Sequence, residues 1–157
     1  MKHSIFILVL LALTFSLNVY SGVADEAKKL GGMISDQYSK FLINSLVLKE
    51  SKESGNIIVT FAMEGFKNGN NVKEYLAIYT PEYKTIDEPP FTPIGEPKYR
   101  LIGFSEICSD RNVSMDASSI SVRGKLLSGT CKSRSADFSQ DQKFLIEVDR
   151  YSIRKKA

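Results

Sequence analysis

Apolar and polar positions change their spacing along this chain, and each change marks an element. From Ile5 to Leu17 the residues are almost all apolar. Farther on, from Asn56 to Gly65, Ile57, Val59, Phe61 and Met63 alternate with Thr60 and Glu64, the period-two pattern of a half-buried strand. Phe66 to Asn71 is rich in Asn and Gly, which accept turn conformations, and Tyr75, Ala77 and Tyr79 resume the alternation between Val72 and Thr80. These two segments predict a hairpin. Tyr99 to Ile107, Ile120 to Leu127 and Phe144 to Ile153 read as further strands, bounded by Ser, Asp and Gly clusters. In the last, Phe144, Ile146 and Val148 share one face while Tyr151 and Ile153 fall on the other, which predicts a bulge near Asp149 or Arg150.

Between Asp25 and Ser54 the pattern supports two readings. Tyr38, Leu42 and Leu46 recur every four residues beside Phe41, behind a capping pair Ser35-Asp36, and predict a helix over 36–48. Phe41, Ile43 and Val47 alternate instead if the segment is a strand, with Lys49 to Gly55 as a hairpin loop. The helix is the favoured reading, and Gly31-Gly32 should interrupt any helix that starts at Asp25, since glycine costs about 1 kcal/mol inside one. The chain should therefore be mainly β: an antiparallel small barrel or sandwich of five to six strands, with one N-terminal helix packed on it.

The apolar run near the start changes which residues count. Met1-Lys2-His3 before it and Gly22-Val23-Ala24 after it complete the three parts of a secretory signal. The run is about 13 residues, against roughly 20 to span a bilayer. Cleavage is expected between Ala24 and Asp25, giving a signal peptide over 1–24 and a single β-rich domain over 25–157; an uncleaved anchor is the alternative. No second apolar run is long enough to span a bilayer. A secreted or periplasmic location follows. The leader also takes with it His3, the chain's one histidine. Without an imidazole the mature domain has no Ser-His-Asp or Cys-His machinery, and no zinc-hydrolase ligand pattern. Neither a cofactor nor a metal site is predicted.

Two cysteines remain, Cys108 and Cys131, and in an oxidising compartment they should form one disulfide. Closing a loop of that size contributes about 3 kcal/mol on the chain-entropy model. Lys2 carries one of the +3 formal charges, so the domain over 25–157 is near balance at +2, with no bulk signal for a nucleic-acid partner. Local charge is less even: Arg123, Lys125, Lys132 and Arg134 lie in a stretch without acids and form a candidate basic face. Asn112-Val113-Ser114 is a glycosylation acceptor if the source is eukaryotic.

All five prolines fall at Pro81, Pro89, Pro90, Pro93 and Pro97, which predicts a stiff Pro-rich loop at 81–97. Phe91 and Ile94 at its centre are the candidate partner-binding residues. Asp87, Glu88, Glu147 and Asp149 are the only carboxylate groupings that suggest hydrolytic chemistry, and small domains seldom build the opposed pair a glycosidase needs. The leading expectation is a non-enzymatic binding or interaction module, an inhibitor or a host- or envelope-interaction protein, acting on a protein partner outside the cytoplasm. Its alternatives are a carrier with a small apolar ligand inside a closed sheet and a carboxylate-dependent hydrolase. Leu30-Gly31-Gly32 followed by a helical stripe and a strand resembles the opening order of cystatins, the cysteine-protease inhibitors. The strand from Ile57 lacks their Gln-x-Val-x-Gly loop and the late Pro-Trp pair is missing, so no family is assigned.

Overall fold

The computed structural model describes residues 21–65, 71–85, 93–108, 113–133 and 141–156. A helix, α1, covers 21–34. Eight strands follow: β1 (Ser39–Glu50), β2 (Ile57–Gly65), β3 (Asn71–Thr85), β4 (Pro93–Cys108), β5 (Val113–Arg123), β6 (Leu126–Ser133), β7 (Gln142–Val148) and β8 (Ile153–Lys156). They form two four-stranded antiparallel meanders, β1-β2-β3-β4 and β5-β6-β7-β8, and neither closes into a barrel. The mainly β, sandwich-like class is as the alternation predicts; the strand count and the helix position are not.

The first sheet is covered on both faces. Ile57, Val59, Phe61 and Met63 of β2 meet Val23, Ala27 and Leu30 of α1, while Ile58 of β2 points the other way, into a core shared with Leu127, Phe144 and Ile146 of the second sheet. Consequently β2 is buried from Ile57 to Met63 without interruption, Thr60 and Ala62 included. The half-buried strand read from alternation is a central strand, covered on the face that carries Thr60 as well. The expected β2–β3 hairpin is present, in register from Ile57 opposite Tyr79 to Gly65 opposite Asn71.

The helix lies earlier than predicted and 39–50 is strand. In α1, Val23, Ala27, Leu30 and Ile34 recur at helical spacing and form its buried stripe. Gly31 falls within this helix because the ring of Phe41 crosses it: a Cβ there would sit 2.4 Å from Phe41 Cδ2. Close approach thus outweighs glycine's poor helix propensity. Ser35 and Asp36 do cap, but at the other end of a helix: Ser35 Oγ donates to Gly31 O (2.7 Å) and accepts from Phe41 N (3.2 Å), and Asp36 Oδ1 accepts from Tyr38 N (2.7 Å). The four-residue recurrence of Leu42 and Leu46 arises from a break in β1, whose register with β2 shifts between Leu42 and Val47. Ser45 Oγ bridges the break, donating to Leu42 O (2.5 Å) and accepting from Ala62 N (2.7 Å).

Two more predicted strands are in fact pairs. Ile120 to Leu127 turns at Gly124-Lys125, where Gly124 has φ of 57° and Arg123 faces Leu126. Such a conformation is cheap only for glycine, and it reverses the chain. Phe144 to Ile153 likewise reverses: Asp149 N donates to Ser152 O (2.8 Å), and Val148 faces Ile153. The phase change at Asp149 is a turn, and the predicted bulge does not occur.

Part of the proline-rich stretch is strand. Pro81 lies opposite Tyr99, beyond the point where β2 ends, so β3 has only one neighbour there and no donor is missed. Pro93 and Pro97 belong to β4, the edge of its sheet. Pro89, Pro90 and Phe91 lie outside the described residues, as do residues 1–20 of the segment expected to be a signal peptide over 1–24.

Candidate functional site: a cleft between the sheets

The two sheets are joined covalently at one end. Cys108, the last residue of β4, is bonded to Cys131 on β6, with Cα atoms 5.9 Å apart and both residues fully buried. At the opposite end lie the β1–β2 turn, the β5–β6 turn, the β7–β8 turn and the extension of β3 and β4 past β2. Lys49 Nζ donates to Ile120 O (2.5 Å) and Gly124 N donates to Glu53 Oε2 (2.7 Å), tying the β1 side of the first sheet to the β5–β6 hairpin. Between these ties and β4 the sheets part, leaving an open cleft of about 590 Å3.

The floor of this cleft is the end of the inter-sheet core. Ile58, Ile78 and Ile102 contribute from three successive strands of the first sheet, Val122, Leu127 and Val148 from three strands of the second. Around the mouth the residues turn polar: Ser51, Ser54 and Asn56 on the β1–β2 turn, Thr80 and Glu82 on β3, Arg100 on β4, and Lys125, Asp149 and Arg150 on the turns of the second sheet. Arg100 Nε donates to Glu82, and Lys125 Nζ donates to Asp149 Oδ1 at 3.1 Å. The Lys125 ammonium and the Arg150 backbone N–H hold the Asp149 carboxyl below the usual carboxylate range. Tyr151 stands exposed beside the mouth with two guanidinium groups over its ring, those of Arg100 and Arg150, each 5.3 Å from the centroid.

The arrangement suits binding: an apolar surface inside, fixed dipoles and charges outside. Its hydroxyl groups have no imidazole beside them, because the chain has none after His3. Among the described residues no three His, Cys, Asp or Glu side chains converge to hold a metal ion.

The sequence-predicted positions are scattered around this site. Arg123 and Lys125 lie at the β5–β6 turn, Lys132 at the far end of β6, where its Nζ pairs with Asp116 Oδ2 at 2.6 Å. Seven residue steps separate Lys125 from Lys132, about 23 Å along an extended strand, so these cations are spread along the hairpin. Arg134 lies outside the described residues, as do Asn112, Asp87 and Glu88. Ile94 is on β4 opposite Lys84. Glu147 pairs with Lys156 at 2.7 Å, which pulls its carboxyl below the ordinary range. Sequence reading missed the cleft because two of the turns at its mouth, β5–β6 and β7–β8, lie inside segments that read as continuous strand; Gly124 is the available signal for one of them. No helix among the described residues is long and apolar enough to cross a membrane. Comparison of the chain with protein-family models, with curated proteins and with solved structures finds no match to any of them.

Proposed function

We propose that the chain is exported and that its folded part is a small binding protein, holding a compact ligand with an apolar body in the cleft between the sheets. The observation that carries this reading is the combination of an isoleucine- and valine-lined floor with a polar mouth in a space of about 590 Å3, within the roughly 300–1,000 Å3 range of small-molecule sites. Export is supported by the leader-like first residues and by the buried disulfide, which a reducing compartment would not keep. The ligand lies between open sheets, at variance with the closed barrel expected of a carrier.

Val122 lines the cleft wall and is only partly buried, so Val122→Trp should fill the space with little effect on folding. Titration with 1-anilinonaphthalene-8-sulfonate is expected to show one saturable site per chain, weakened roughly tenfold or more by the substitution, equivalent to about 1.4 kcal/mol. Equal binding by both proteins would remove the cleft from the account.

A second reading, contact with a protein partner, is favoured by one observation: β3 and β4 run on together past the end of β2 as a two-stranded arm toward residues 86–92. Under it, Phe91→Ser with Ile94→Ser abolishes complex formation with the partner and leaves dye binding in the cleft intact. Native mass spectrometry of the protein from its own host separates the two readings, since a co-purifying small mass belongs to the first.

A further inference from the structure

The buried stripe of α1 begins before the expected processing point. Val23 is completely buried, as is Ala27 one turn later, and both belong to the core that includes Ile57, Phe61 and Tyr79. Gly22 is packed as well: a Cβ there would lie 3.2 Å from Tyr99 Cε2, so the helix enters against that ring. Cleavage before Asp25 would discard both residues and open the core of the first sheet to water. The first helical turn is thus part of the folded domain, although the Gly22-Val23-Ala24 pattern marks it as leader.

An earlier exit satisfies both demands. Ser21 is small and uncharged, exposed, and preceded at two residues by Val19, so the bond after Ser21 also ends a small-residue exit. A product starting at Gly22 keeps Val23 in the core. It also keeps Asp25 and Glu26 near the N-terminal end of α1, where their carboxylates offset the new α-ammonium.

We propose that export processing hydrolyses the Ser21–Gly22 bond, so that the mature chain begins at Gly22. Water supplies the hydroxyl that leaves Ser21 with a carboxylate and the proton that leaves Gly22 with an ammonium; the catalyst is an export peptidase selective for small residues, acting on the extended chain before it folds. The proposal rests on the export reading above but fails separately from it.

The test is intact-mass measurement on the full-length chain made in a secreting host, beside Ser21→Tyr and Ala24→Gln. The expected result is a wild-type product starting at Gly22, unchanged start for Ala24→Gln, and loss of that product for Ser21→Tyr. A wild-type product starting at Asp25, indifferent to Ser21→Tyr, would overturn the proposal and leave export standing. A chain that retains Met1 would overturn both. Whichever product is found, its Tm reports the packing: a Gly22 start should melt roughly 5 °C above an Asp25 start, from the burial of one valine.

Discussion

On its helix side the first sheet meets α1 through Val23, Ala27 and Leu30, which are buried in one cluster with Phe61 and Met63. On the other side it meets the second sheet, where the joint is closed at Cys108–Cys131 and open at Ile58, Ile102 and Val122. Both are apolar cores of similar membership, and the cleft opens from the second. A helix can lie along a sheet and seal it. Two twisted sheets held at one end diverge toward the other, and here the divergence falls where Arg100 of β4 meets Lys125 and Arg150 of the second sheet's turns around the cleft mouth.

If that contrast is correct, truncation on the closed side should unfold the protein without touching the cleft. Phe61 is fully buried, with Phe41 edge-on at 5.5 Å and Tyr75 stacked at 5.6 Å between ring centroids. Phe61→Ala should cost about 3–5 kcal/mol in denaturant unfolding. Dye affinity, measured where the variant is still folded, should be unchanged.

The disulfide comes next. Replacing Cys108 and Cys131 by Ser should cost about 3 kcal/mol from the freed loop. Unlike Phe61→Ala, it should also weaken cleft binding in the folded protein, since no cross-link then holds β4 against β6 and only the chain between Cys108 and Val113 joins the sheets covalently at their closed end. If binding survives at full strength, the cleft is set by the ties at Lys49 and Glu53 alone. A smaller effect is expected for Val122→Ala: its side chain borders open space, so the stability loss should stay below about 1 kcal/mol while the dye binds several-fold more weakly.

How much of this was legible in the chain follows the same division. The closed side could be read from β2, where Ile57, Val59, Phe61 and Met63 declare a buried face at period two. The inter-sheet pairing of Cys108 with Cys131 was legible too, from compartment and count. What escaped was the part made by chain reversal. Ile120 to Leu127 has a continuous β-forming composition, and only the left-handed Gly124 divides it. The helix is displaced from its predicted place because local spacing cannot tell a bulged strand, Leu42 to Leu46, from a helical stripe, whereas the stripe at Val23, Ala27 and Leu30 straddles the expected cleavage point and runs into Gly31-Gly32. The cleft depends on residues from both sheets, some far apart in sequence, and no local pattern brings Ile58, Ile102 and Val148 together.

The smallest expected effect concerns charge at the stapled end of the second sheet, and it asks whether surface pairing shares the work of the disulfide there. Asp116 lies two positions from the residue opposite Cys131's neighbour Lys132, and its carboxyl is pulled from 3.8 to about 2, chiefly by the hydrogen bond from Lys132 and then by that from Ser118. Folding therefore lowers this pKa, and between the two values the unfolded chain binds more protons than the folded one. The stabilisation is complete above about pH 4 and is lost as the pH falls toward 2. Asp116→Asn should thus be slightly less stable than the parent at neutral pH, with the gap closing through that acid window and shrinking in high salt, because the Lys132 ammonium is exposed. A gap that persists unchanged at pH 2 would assign the loss to the Asp116 turn with Ser118 and remove the Lys132 ion pair from the fastening of this end.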